Sequence, residues 1–125
     1  MIFVLGGAYQ GKEEFARTLP GGAQARVYVC REDGEPDLSA PIVSHIERFH
    51  LYALRNRLDA AAFWQAHGED IAHSILIADD ISSGIVPMEA EARAWRELCG
   101  RTNQRLARQA EAVYRVFCGL GVRIR

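Results

Sequence analysis

Short apolar runs alternate along the chain with longer segments that are apolar on one side only. Residues 2–5 and 74–78 are apolar on both faces, which is typical of strands buried inside a parallel sheet. Residues 26–30 are rich in β-branched and aromatic side chains and predict another strand. Shorter or later strand candidates lie at residues 42–43, 112–118 and 122–124.

Four segments carry the spacing of an amphipathic helix. They are residues 12–19, 46–57, 60–67 and a long segment that begins at Pro87. Asp59 and Gly68 have the residue types expected just before and just after the third of these helices. The longest helix is predicted to present one continuous inward face, formed by Met88, Ala92, Trp95, Cys99, Thr102, Leu106 and Ala110.

This alternation of strands and helices predicts one α/β domain, residues 1–125, with a mainly parallel sheet. In such sheets, ligands bind at the carboxyl ends of the strands. Two chemically suggestive segments come at such ends: the glycine-rich residues after the first strand, and Asp79 and Asp80 after the strand at 74–78.

Composition narrows the function classes. The net charge of −1 gives no reason to expect nucleic acid or an anionic membrane as a partner. Arginines are concentrated in residues 93–125, where they serve either phosphate groups or a solvated face. Three cysteines without C-x-x-C spacing favour a reducing, cytoplasmic setting, and no apolar run is long enough for a membrane span or a signal peptide.

The glycine-rich segment matches most of the phosphate-binding loop pattern G-x-x-x-x-G-K-[ST]. Backbone N–H groups of such a loop and the following helix start attract phosphate oxygens, and the lysine adds a positive charge. A plain turn between strand and helix is the alternative. The predicted nucleotide-binding residues are Gly6, Gly7, Ala8, Tyr9, Gln10, Gly11, Lys12 and Glu13.

Glu13 stands where the pattern has a serine or threonine hydroxyl that helps to hold magnesium. A carboxylate near a phosphate oxygen is repelled unless it binds the metal or points away. Asp80 is the predicted acidic magnesium ligand at the strand end, with Asp79 as the weaker candidate and a turn or cap role as the alternative for both.

Two histidines are candidates for a nucleophile or a general base. His45 and His50 are five residues apart, a spacing that does not place both on one helix face, so loop and packing roles are the alternative. Trp64 and Trp95 lie on apolar helix faces and are predicted to be core residues.

Three segments carry a family resemblance: residues 75–87 with Gly84-Ile-Val-Pro87, residues 95–107 with Gly100-Arg-Thr-Asn-Gln104, and residues 110–125. Together with Gly6-Gly-Ala-Tyr-Gln-Gly-Lys12, they resemble the bifunctional adenosylcobinamide kinase/adenosylcobinamide-phosphate guanylyltransferase family. That family carries a Gly-Gly-Ala-x-x-Gly-Lys-Ser loop, a Ser-Asn-Glu-Val-Gly-x-Gly-Ile-Val-Pro segment that residues 78–87 match loosely, and an Arg-Asp-x-x-Gly-x-x-Asn-Gln segment.

The resemblance implies a three-layer, phosphate-loop NTPase-like fold, a trimer, and a role in cobalamin assembly. It implies that ATP or GTP phosphorylates adenosylcobinamide and that GMP is then transferred from GTP through a histidine. On this chain, Lys12 would hold phosphates, Asp80 and Glu13 would hold Mg²⁺, and His45 lies roughly where that histidine is expected.

The chain departs from the family pattern at several points. Glu13 replaces the hydroxyl residue, Asp79 and Asp80 stand for Asn-Glu, and Ser82 replaces a glycine. The chain is also shorter between the second strand and Ser74, and the flanks of His45 do not reproduce the family's histidine motif. Two functions therefore stay open: a kinase-like transferase, or a catalytically degenerate relative that binds a nucleotide or corrinoid or serves as an interaction protein.

Overall fold

A computed structural model describes residues 1–82 and 84–125 of the chain. In this part of the chain, six strands form a single sheet that has helices on both faces. The elements are β1 (Ile2–Gly6), α1 (Lys12–Ala16), β2 (Val27–Val29), β3 (Ile42–Ser44), α2 (Ile46–Arg55), α3 (Ala60–Ala66), β4 (Ile75–Asp79), α4 (Ala90–Gln109), β5 (Ala112–Phe117) and β6 (Leu120–Arg123).

The strand order is β2-β3-β4-β1-β5-β6, and every neighbouring pair is parallel except β5 and β6. β1 therefore lies in the middle of the sheet, between β4 and β5. Gly6, its last residue, is paired with Asp79 on one side and with Val116 on the other. The glycine-rich residues and Asp79 consequently lie side by side at the carboxyl ends of β1 and β4. This is the arrangement expected of an α/β domain with a mainly parallel sheet.

The two faces of the sheet are covered unequally. Helices α2, α3 and α4 cover one face, whose core includes Phe3, Phe49, Trp64, Leu76 and Leu106. The other face carries only the five-residue helix α1 among the described helices. Its core is smaller and is formed by Val4, Ala16, Leu19, Ile42, Ile75, Ile77 and Val116. The three-layer prediction is confirmed, with one thick layer and one thin layer.

Helix α1 is shorter than the predicted segment 12–19. It ends at Ala16, and the N–H groups of Thr18 and Leu19 donate to carbonyl groups three residues back, which tightens the chain into turns. Gly22 then passes so close that a Cβ atom on it would lie 2.1 Å from the carbonyl oxygen of Ala16. A longer helix is therefore incompatible with this return of the chain.

The longest helix begins at Ala90, so the prediction that it begins at Pro87 is wrong. The guanidinium group of Arg93 donates to the carbonyl oxygens of Pro87 and Met88, which are the groups that a helical turn would have used. Met88 is exposed and does not belong to the inward face. Cys99, Thr102 and Leu106 are buried as predicted, while Trp95 is only partly buried.

The remaining predicted elements are present with small changes of boundary. β3 is a strand of three residues, and α2 ends two residues before the predicted Arg57. Asp59 caps α3, since its side chain accepts a hydrogen bond from the N–H of Ala62. Among the helices described, none is both long and apolar enough to cross a membrane.

Candidate functional site

Residues 7–11 form the loop between β1 and α1, and the glycines at its two ends, Gly6 at the end of β1 and Gly11 before α1, cannot be replaced without strain. A Cβ atom on Gly6 would lie 2.5 Å from the carbonyl oxygen of Val116 in the neighbouring strand. Gly11 has φ 85, a left-handed conformation, and lies against Gly119. These glycines therefore fix the course of the loop across the top of the sheet.

Gln10 fastens this loop to the turn between β5 and β6. The N–H of Cys118 donates to Gln10 Oε1 at 2.7 Å, and the N–H of Gly119 donates to the Gln10 carbonyl, also at 2.7 Å. Tyr9, by contrast, is fully exposed and has φ 59. Gln10 therefore holds the loop in place. The sequence did not predict this role, because the hydrogen-bond partners of Gln10 are more than 100 residues away along the chain.

The loop offers backbone donors to a ligand. Ala8 and Tyr9 form a turn, and among the described residues the backbone N–H groups of Ala8, Tyr9 and Gly11 donate no hydrogen bond. Unpaired N–H groups cost free energy when they are shielded from water, but they bind anions well when they converge. The arrangement is chemically suited to phosphate oxygens.

Lys12 points into the space beneath the loop. It is the only lysine in the chain, and only 7% of its side chain is exposed. Its Nζ donates to the carbonyl oxygen of Gly7 at 2.6 Å and lies 2.6 Å from Oδ1 of Asp79. The second contact is an ion pair without the angles of a hydrogen bond, since Asp79 Oδ1 is buried and accepts none from the described residues. A buried ammonium group is therefore held between the loop and the end of β4.

A cavity of about 380 Å³ opens beside Lys12, and we call it the loop cavity. Glu13 lines it, although 44% of its side chain is exposed and its Oε1 lies 3.4 Å from Nη2 of Arg17. The other lining residues are Ala8, Tyr9, Gln10, Gly11, Lys12, Glu14, Ser44, His45, Arg48, Ile77 and Asp79. Most of the predicted nucleotide-binding residues are thus brought to one cavity.

His45 also faces the loop cavity, at the point where β3 passes into α2. It has φ 56, a conformation that costs a residue with a Cβ atom about 1–2 kcal/mol. Its Nδ1 lies 2.9 Å from Glu47 Oε1 and 3.8 Å from Asp79 Oδ2. Glu47 is only 4% exposed, and its Oε2 accepts a hydrogen bond from the backbone N–H of Asp79. Glu47 was not among the site residues predicted from the sequence.

Asp80 lies on the opposite side of the sheet from Asp79. Its Oδ1 accepts hydrogen bonds from the N–H and hydroxyl groups of Ser82, at 3.1 and 2.8 Å. It lines a separate cavity of about 620 Å³, which we call the arginine cavity because Arg93, Arg96 and Arg101 also line it. The two predicted magnesium ligands, Asp80 and Glu13, are therefore not brought together.

His50 belongs to the core and not to a site. It is fully buried, its Nε2 accepts a hydrogen bond from Trp64 Nε1 at 3.0 Å, and its Nδ1 lies 3.4 Å from Sγ of Cys99. Burial lowers the pKa of His50 to about 3, and burial also raises the pKa of the Cys99 thiol. His50 therefore has the packing role that was the alternative for it, and Trp64 is buried in the core as predicted.

Comparisons with known proteins point to one family. Residues 53–124 match the model of the family described as cobinamide kinase / cobinamide phosphate guanyltransferase. Over 54 residues, the chain is 43% identical to the bifunctional adenosylcobalamin biosynthesis protein CobU of Salmonella typhimurium and 41% identical to that of Escherichia coli. Each alignment covers 43% of this chain and 30% of the relative, so the match spans under a third of these relatives' length. The glycine loop lies outside the residues that match the family model.

Proposed function

Because the chain belongs to the cobinamide kinase / cobinamide phosphate guanyltransferase family, we propose that it binds GTP or ATP in the loop cavity. We further propose that it transfers a phosphoryl group from this nucleotide to adenosylcobinamide, as a step of cobalamin biosynthesis. The observation that carries the proposal is the buried ammonium group of Lys12, held between the glycine-rich loop and the end of β4 beside the loop cavity.

The proposed chemistry is mainly one of position and charge. A phosphoryl group in transfer spreads negative charge over its outer oxygens, and fixed positive groups lower the barrier by meeting that charge. In the proposed complex, the Lys12 ammonium exchanges the Asp79 carboxylate for phosphate oxygens, and the loop N–H groups donate to the remaining ones. The acceptor hydroxyl forms the new P–O bond as the bond to the leaving nucleoside diphosphate breaks, and the hydroxyl proton is released.

Magnesium normally accompanies such nucleotides. The ligands predicted from the sequence do not fit a single ion, because Asp80 lines the arginine cavity and Glu13 lines the loop cavity. The carboxylate that does lie beside Lys12 is Asp79. No step of the proposed reaction is therefore assigned to a protein-bound magnesium ion.

A second candidate function is binding without catalysis. Glu13 favours it, since its carboxylate lines the loop cavity and adds negative charge where phosphates would lie. Nucleotide turnover by the unmodified chain and by Glu13→Ser distinguishes the two candidate functions. If the chain is a transferase, Glu13→Ser should preserve or raise turnover of GTP or ATP in the presence of Mg²⁺. If it is a binding protein, neither the unmodified chain nor Glu13→Ser should turn over nucleotide, although both bind it.

The direct experiment uses the full chain, adenosylcobinamide and GTP or ATP labelled at the γ-phosphate. Phosphorylated cobinamide that disappears in Lys12→Ala supports the kinase. A label that moves from the α-phosphate of GTP onto protein would point to guanylyl transfer, with His45 as the predicted acceptor and His50 excluded by its burial. Absence of both nucleotide binding and product would contradict the proposal.

We also propose that the chain forms a homo-oligomer, for which a trimer is the expectation from the family resemblance. Strand β6 lies at the edge of the sheet and exposes Leu120 and Val122, and neighbouring Phe117 and Ile124 are exposed as well. Exposed apolar edges are uncommon on isolated domains because they promote association. Light scattering at several concentrations tests this, and a monomer at all of them would contradict it.

A further inference from the structure

His45, Glu47 and Asp79 form a cluster that the nucleotide proposal leaves unexplained. We propose that these three residues bind one divalent transition-metal ion of the Zn²⁺ or Co²⁺ class beside the loop cavity. The proposal does not depend on nucleotide binding, because none of its three ligands lies in the glycine loop and the metal would bind without nucleotide.

The three side chains come from different elements and converge. His45 follows β3, Glu47 lies in the first turn of α2, and Asp79 ends β4. One ligand atom from each lies within 4.8 Å of the others. Around a tetrahedral zinc ion with bonds of about 2.0–2.1 Å, neighbouring ligand atoms are about 3.3 Å apart. The distances from His45 Nδ1, 2.9 Å to Glu47 and 3.8 Å to Asp79, bracket that value.

The electrostatics of the cluster call for a cation. Glu47 is 4% exposed, and His45 is its only ion-pair partner within 4 Å among the described residues. A buried carboxylate without a full counter-charge is costly. Asp79 adds a second carboxylate, which shares its Oδ1 side with Lys12 and turns Oδ2 toward His45. The cluster thus brings two carboxylates to one imidazole, with the Lys12 ammonium beside Asp79 and Arg48 also lining the loop cavity.

The donor set decides the class of ion. Magnesium and calcium take oxygen ligands, whereas an imidazole nitrogen favours zinc, cobalt and related metals. The backbone N–H of Asp79 donates to Glu47 Oε2, which holds that carboxylate in place with Oε1 toward His45. His45 remains 31% exposed beside the loop cavity, so a further position on the ion stays open to water or a ligand.

The test titrates the chelator-treated full chain with Zn²⁺ and with Mg²⁺ by calorimetry, and with Co²⁺ by absorption spectroscopy. We expect one ion per chain and d–d bands of a nitrogen-ligated Co²⁺. His45→Ala and Glu47→Gln should weaken binding by about 10- to 100-fold, as loss of a ligand or its support does. His67→Ala is the matched control, because His67 pairs with Asp70 on the exposed surface in the same ion-pair geometry.

Circular dichroism of each variant establishes that it is folded. Stoichiometric binding that His45→Ala and Glu47→Gln weaken and His67→Ala leaves unchanged supports the site. Three results would overturn it: no binding of either ion, equal loss in His45→Ala and His67→Ala, or tighter binding of Mg²⁺ than of Co²⁺. Because GTP binding by the metal-free chain is measured in the same preparation, failure of the metal site is distinguishable from failure of the proposed function.

Discussion

The two faces of the sheet differ in how they are covered and in what they expose. Three helices bury one face under aromatic side chains, whereas the other carries the short helix α1 and the glycine loop. Residues of one type behave differently on the two faces. His50 is buried on the thick face, while His45 meets carboxylates at the thin one.

Two neighbouring aspartates also differ between the two sides of the sheet. Asp79 and Asp80 are adjacent in sequence, and the alternation of a strand sends one to each side of the sheet. Asp79 contacts Lys12 in the loop cavity, and Asp80 contacts Ser82 in the arginine cavity. Each side of the sheet therefore carries a cavity with polar lining residues, and the loop cavity on the thinly covered side is the one that holds the buried ammonium group of Lys12.

The largest expected effect comes from removing the charge of the loop cavity. Lys12→Ala should weaken binding of GTP or ATP at least about 100-fold, or about 2.7 kcal/mol, because it removes the buried ammonium group that would meet the phosphates. Calorimetry measures the affinity. Arg26→Ala is the control, since its guanidinium pairs with Asp37 on the exposed surface. A variant that binds as tightly as the unmodified chain would place the nucleotide elsewhere or nowhere.

The next effect separates the two aspartates by stability. Asp79→Asn should lower the free energy of unfolding by about 2–3 kcal/mol, because it leaves the Lys12 ammonium buried without its counter-charge. Asp80→Asn should change it by less than about 1 kcal/mol, since an asparagine oxygen still accepts from Ser82. Urea denaturation of both variants measures the difference. Equal losses would contradict the separation of the two aspartates.

The smallest effect concerns acid and the thick face. Folded His50 stays neutral to about pH 3, whereas the imidazole of the unfolded chain takes up a proton below about pH 6.5. The unfolded state therefore binds more protons than the folded state. As the pH is lowered from 6 to 5, this difference at His50 lowers the free energy of unfolding by about 1 kcal/mol. Protonation of Nε2 would also oppose the N–H of Trp64. His50→Gln should show a shallower fall over this range, and identical slopes would contradict the assignment.

Much of the fold could be predicted from the sequence, because the spacing of apolar residues indicates the buried strands and most of the helices. The glycine loop was recognisable for a different reason, because Gly6, Gly11 and Lys12 belong to one contiguous motif. The start of α4 was not predictable, since it depends on Arg93 capturing the carbonyl groups of Pro87 and Met88. Contacts of this kind have no signature in the helical period.

The composition of the candidate site was harder to predict than its position. Glu47 and Gln10 are ordinary polar residues in sequence, and they gain their roles from Asp79 and from the distant Cys118 and Gly119. The choice between Asp79 and Asp80 also depended on which face of the sheet each meets. Residue type at a strand end indicated a site, but the direction of each side chain came from the packed sheet.

The most direct measurement of the central claim uses the fact that Lys12 is the only lysine. The folded chain is treated with an acetylating reagent, with and without GTP or ATP, and modification is followed by mass spectrometry. The amino group of Met1, at the opposite end of β1, is the internal reference. If the nucleotide binds in the loop cavity, it should slow acetylation of Lys12 and leave that of Met1 unchanged. Equal rates at Lys12 with and without saturating nucleotide would contradict the claim.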